Sequence, residues 1–207
     1  MDQYKTIERE AVDEYIVKKS RFLGYAKPVT TPDEAVAFIE EIKKKHWDAT
    51  HNVYAYVLRE GQIRRYSDDG EPQGTAGIPA LDVLLKGELT DLCVVCTRYF
   101  GGIMLGAGGL VRAYSHTAKI AAEAGGIITM AKCSVAEVTS DYTYYGRLLP
   151  LLCSHGAIVE DTVFADSVTV RFKIPASAFG ALDAAVVDSS FGKVHPVLLG
   201  EKFDKIS

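Results

Sequence analysis

The feature that most constrains this chain is the order of elements in its last third. SVAEVTSDY reads as a strand and YYGRLLPLLCSH as a helix. AIVEDTVFA and SVTVRFKIP follow as a hairpin turning at Asp166, then the helix SAFGALDAAVVD and the strand KVHPVLLGEKF. In the second helix Phe179, Leu182 and Val186 form a core stripe at helical spacing. Strand–helix–strand–strand–helix–strand in so short a stretch is the ferredoxin-like split pattern. It predicts a domain over 136–207, with a boundary near 135 and a separate domain over 1–135. With 207 residues the chain is long enough for both. The expected fold class is therefore α+β, in two domains that fold separately if cut near 135.

The N-terminal part also mixes periods. YKTIEREAV, EYIVKKS and RFLGYAKPV alternate as strands, and Thr31-Pro32-Asp33-Glu34 is a capping box with proline at the first helical position. Ala35, Phe38, Ile39 and Ile42 make that helix's apolar stripe, and Lys43, Lys44 and Lys45 suit the negative end of its dipole. NVYAYVL and QIRRY read as a hairpin around Glu60-Gly61, and ALDVLLK as a short helix. The apolar strand LCVVCTRYF is broken by Gly101-Gly102. Gly106, Gly108 and Gly109 then open a long helix that ends at Gly125-Gly126.

Charge limits the function classes. A net charge of −4 argues against a protein that coats nucleic acid with its whole surface, so any polyanion must meet a local basic patch. Residues 1–135 hold 17 basic and 18 acidic side chains, and 136–207 hold 6 and 9, which places basic recognition in the first domain. No run of about 18 uncharged apolar residues predicts a membrane span. The polar start MDQYKTIERE predicts no secretory leader, so a cytoplasmic address is expected. The Cys93-x-x-Cys96 pair sits on a strand whose alternation sends the two thiols to opposite faces, which rules out a shared metal. All four cysteines, Cys133 and Cys153 included, are expected to be reduced, buried and metal-free.

Three segments break the rules of ordinary core building: residues 67–77, 98–102 and 106–112. Glycines permit positive φ and close backbone approach, and two of these runs open into helices, whose N-terminal amides suit phosphate or carboxylate. Arg98 closes an apolar strand. Arg112 stands in the first turn of the glycine-opened helix, against the dipole unless an anion meets it. Arg21, His51 and His116 are further candidates for the same cleft, with backbone at Gly74, Thr75, Gly77, Gly101, Gly102, Gly108 and Gly109. The competing reading makes the glycines tight corners and pairs Arg98 with Asp68 or Asp69.

Asp68, Asp69 and Glu71 could gather a divalent cation, or form a hydrophilic turn whose aspartates cap backbone amides. Neither the P-loop pattern nor the dinucleotide fingerprint is met. His51 and His116 have no visible Ser or Cys nucleophile beside them, so no catalytic residue and no cofactor is assigned.

Residues 77–106, with TRYFGG at 97–102 at their centre, resemble the signature of the IMPACT family. SDDGEPQGTAG, GAGGLVRAY and KKSRF match it too, so the resemblance covers residues 18–114. Cys96-Thr97 departs from the apolar or small residues expected there. The two-domain length resembles the bacterial branch called YigZ.

The resemblance implies a first domain folded like the second domain of small-subunit ribosomal protein S five and domain IV of elongation factor G. It implies a second domain similar to a C-terminal domain of elongation factor G. Eukaryotic relatives regulate translation initiation under amino-acid stress by competing for an activator of an eIF-two-alpha kinase, which bacteria lack. The expectation is a non-enzymatic regulator of translation that binds RNA, the ribosome or a translation-associated protein. The alternative is an enzyme acting on a small phosphorylated or anionic substrate in the same cleft.

Overall fold

The protein is described by a computed structural model over residues 3–205. The chain forms two compact units, one of residues 4–129 and one of residues 130–205 together with Gln3. The division falls within a long strand, a few residues before the expected boundary at 135.

In the first unit, β1 (Gln3–Ile7) lies beside the segment at 88–91, where Thr6 donates to the Asp91 carbonyl. The sheet comprises β2 (Ala11–Val17), β3 (Ser20–Pro28), β4 (His51–Leu58), β5 (Ile63–Ser67) and β6 (Leu92–Tyr99). Its order is β2-β3-β6-β4-β5, with every neighbouring pair antiparallel.

The central strand β6 is buried over seven of its eight residues, so both faces of the sheet need cover. On one face Cys93 and Val95 pack with Phe38, Ile39 and Ile42 of α1 (Pro32–Lys45). On the other, Val94 and Cys96 pack with Leu84 of α2 (Gly77–Lys86) and with Leu110, Tyr114 and Ala118 of α3 (Ala107–Ala124). The capping box at Thr31 forms as the sequence predicts, with Thr31 accepting from the Glu34 amide. Cys93 and Cys96 do lie on opposite faces, and burial pushes the Cys96 thiol up to about 12. Cys153 is exposed, contrary to expectation, because it falls on the outer side of its helix.

The second unit contains β7 (Ile127–Ser140) from Met130 onward, α4 (Tyr142–Ser154), β8 (Ile158–Phe164), β9 (Val168–Pro175), α5 (Ala176–Ser189) and β10 (Val197–Lys205). Antiparallel pairings run β10 to β7, β7 to β9 and β9 to β8, the strand sequence of the split βαββαβ pattern. Leu148 and Leu152 of α4 and Leu182 and Val186 of α5 cover Ala136, Val138, Val170 and Phe172. Among the described residues no helix is long and apolar enough to cross a membrane.

Candidate functional site

Strand alternation decides which candidates share a face. Phe22 and Cys96 point toward α2 and α3, and so do the in-register residues Arg98 and His51. Arg21, one residue from Phe22, takes the opposite face, and its guanidinium is exposed and bound twice by Glu14, at 2.7 and 3.2 Å. Arg21 therefore does not belong with Arg98.

Arg98 is buried. Its Nη1 donates to Glu71 Oε1 at 2.6 Å, and the Tyr114 hydroxyl donates to the same oxygen at 2.7 Å. Burial, and then the Glu71 carboxylate, push the Tyr114 phenol far up, so it remains a donor. The guanidinium lies near the Phe22 and Phe100 rings, 5.5 and 5.3 Å from their centroids, and its Nε has no partner among the described residues. Arg98 Nη2 also reaches Ser20 Oγ at 3.5 Å, and that oxygen accepts the Gly101 amide at 3.2 Å. His51 Nδ1 meets the Asp69 carbonyl at 2.7 Å, and its Nε2 stands 3.9 Å from Glu71 Oε2. The partner of Arg98 is thus Glu71, not Asp68 or Asp69, and Ser20 and Tyr114 join a network in which periodicity did not place them.

The 67–77 turn engages its own amides. Asp68 accepts from Gly74, Ala76 and Gly77, which closes the N-terminus of α2. Asp69 accepts the Asn52 amide and pairs with Lys43, and Thr75 donates to the Pro72 carbonyl. The acidic turn is a capping device, and the expected free donors at Gly74, Thr75 and Gly77 are already bonded or buried. Among the described residues no group of three potential ligands could hold a metal.

The second glycine run stays open. Gly106 caps α3 with φ 72°, a conformation that favours glycine, and among the described residues no side chain caps that helix. Arg112 is in the second turn rather than the first, and its guanidinium folds back so that Nη1 lies 3.8 Å from where a Gly108 Cβ would stand. It is exposed and makes no ion pair among the described residues. His116, one turn on, stacks edge-on against Tyr15 at 4.5 Å.

Gly101 meets the β2–β3 turn so closely that a Cβ would fall 2.0 Å from the Lys19 carbonyl carbon. That turn consists of Lys18 and Lys19, both exposed and both at positive φ. Phe100, Ile103 and Met104, which follow Arg98 in the chain, are exposed. The structure therefore joins Arg98, Glu71, Tyr114, His51, Ser20 and Gly101 in one network and sets the Lys18–Lys19 turn against Gly101, while Gly108, Gly109 and Arg112 lie at the start of α3. The only signal for the lysine pair and Ser20 was the KKSRF motif.

Residues 18–122 match the model of the Impact N-terminal domain, just over half the chain. The chain is 37% identical to IMPACT family member YvyE of Bacillus subtilis, covering 93% of this chain and 89% of that one. The chain belongs to the IMPACT family. A second family relative, IMPACT family member YigZ of Escherichia coli, is 32% identical over 89% of this chain and 92% of its own. The IMPACT homolog of Dictyostelium discoideum is 39% identical, but over 48% of this chain and 28% of its own, so that similarity is partial. Residues 138–193 match a domain of unknown function, DUF1949. A solved structure described as that of a hypothetical protein superposes with a TM-score of 0.61 at 28% identity, covering 98% of this chain and 100% of that one. The IMPACT match spans the lysine turn, the Arg98–Glu71–Tyr114 network and most of α3.

Proposed function

We propose that this protein is a non-enzymatic regulator of translation, working in the cytoplasm and binding RNA on or near the ribosome through the first unit. One observation carries the reading: Arg112 lies exposed over the open, glycine-capped start of α3, without a carboxylate partner among the described residues. Free amides at a helix start and a guanidinium folded back over them can grip one phosphate together. Lys18 and Lys19 add two cations, and exposed Phe100 offers a stacking face. Family membership supports the reading by analogy, as do the elongation factor G and ribosomal protein folds that the sequence resemblance implies. Arg98 acts within it as a positioning residue, holding the acidic turn and Gly101 in place.

The test is binding of the full chain to single-stranded RNA by fluorescence anisotropy, and to ribosomes by co-sedimentation with and without ribonuclease. Arg112→Ala, Lys18→Ala and Lys19→Ala should each weaken binding and lower the salt slope by about one, with unchanged melting temperature. Absence of binding to RNA and ribosomes at low salt would reject the proposal. A second reading, turnover of a small phosphorylated substrate, draws on His51, whose Nε2 faces Glu71 at 3.9 Å. Release of inorganic phosphate by pure protein, lost in His51→Asn, would favour it.

A further inference from the structure

The second unit has a recess of its own, unrelated to the surface described above. It is a pocket of about 200 Å³ between the start of α4 and the turn after α5, lined among others by Thr143, Arg147, Ser189, Phe191 and Lys193. In this acidic unit Arg171, Lys173 and Lys202 are tied to Glu160 and Asp204. Arg147 and Lys193 form no ion pair among the described residues, and both line this pocket. Two unpaired cations converging on one recess form a site for an anion, because each gains a partner that the fold does not supply. The one carboxylate in the lining, Asp141, accepts the Tyr144 amide at 2.7 Å and leaves the lining with one net positive charge.

Phe191 narrows the ligand class. It is 88% exposed and holds φ 53°, at the position after the α5 cap where glycine is the usual residue. A bare aromatic ring in a costly conformation beside two cations suits a planar ring joined to a phosphate. Thr143 adds a hydroxyl donor to the lining.

We propose that this pocket binds a nucleotide, with Arg147 and Lys193 on the phosphate and Phe191 against the base. The nucleotide is either a free mononucleotide or one residue of a single-stranded RNA. The site is independent of the reading of the first unit, and its variants leave that unit untouched.

The experiment uses the full chain and titrates three probes by calorimetry: adenosine monophosphate, a short oligoadenylate and inorganic phosphate. Arg147→Gln and Lys193→Gln should each weaken the nucleotide probes about tenfold, and Phe191→Ala should weaken them but not phosphate. All three residues are exposed, so melting temperatures should hold and loss of binding is not loss of fold. Binding of the monophosphate as tightly as the oligomer identifies a free nucleotide as the ligand, and binding of the oligomer alone identifies RNA. Phosphate binding as tight as the nucleotide and indifferent to Phe191→Ala would overturn the assignment. So would absence of binding at about 1 mM, or binding that survives the double cation variant.

Discussion

Removing Arg98 leaves Glu71 as a buried carboxylate beside the Tyr114 phenol and the His51 imidazole, and removing Glu71 leaves a buried guanidinium. Their side chains are 6% and 4% exposed, so water cannot replace the lost partner. Arg98→Ala and Glu71→Ala should each cost about 3–5 kcal/mol in urea unfolding, whereas the double change Arg98→Met with Glu71→Leu should recover much of that. Equal midpoints for the singles and the parent would show that the pair holds nothing together. Tyr114→Phe, which spares the ion pair, should cost about 1 kcal/mol.

His46 carries the pH response. Its Nε2 meets the Tyr25 hydroxyl at 2.7 Å and its Nδ1 the Tyr99 hydroxyl at 2.8 Å, and burial, then Lys45, hold its pKa below the ordinary 6.5. The unfolded chain therefore takes up this proton at higher pH than the folded chain does. Stability is full above 6.5 and declines as pH falls from there through the folded value. His46→Gln should flatten the melting temperature over that interval. The carboxylates held low by hydrogen bonds, such as Glu34, act only below 4.5.

Turns and helix starts set the next scale. Asp68 binds three amides at the entry to α2, so Asp68→Ala should cost about 2 kcal/mol by thermal melting, at the upper end of a lost cap. Gly101→Ala would drive a Cβ into the Lys19 backbone and should cost about 1–3 kcal/mol while opening the β2–β3 turn. That turn runs through two lysines at φ 46° and 64°, where asparagine and glycine are favoured. Replacing Lys18-Lys19 by Asn-Gly should stabilise the hairpin by about 1 kcal/mol. The same change should weaken RNA binding, which separates what the turn does for the fold from what it does on the surface.

At the scale of the molecule, strand β7 decides where the chain divides. Residues Met130 to Glu137 of β7 pair with β10, and Met130 to Val135 face Gly200 to Lys205. A cut at 135 removes those partners, while a cut between 129 and 130 keeps them. A 130–207 fragment should therefore melt cooperatively and at higher temperature than 136–207, as circular dichroism would read. Equal melting of the two would show that the β10 pairing contributes nothing to the second unit.

The element order, the capping box at Thr31 and the opposite faces of Cys93 and Cys96 were all determined by the sequence alone. Each follows from local rules, a period of two or of about 3.6 and a side chain reaching its own backbone. What only the tertiary structure decided is the use of the polar residues. Arg98 chose Glu71, 27 residues away, over the adjacent aspartates, because the path of the 68–77 turn turns Asp68 toward its own amides and Glu71 inward. Arg21 and Phe22 are neighbours in the chain and yet lie on opposite faces, and only the register against β6 reveals which face holds the network. A buried ion pair depends on where two distant segments meet, and no local pattern carries that information.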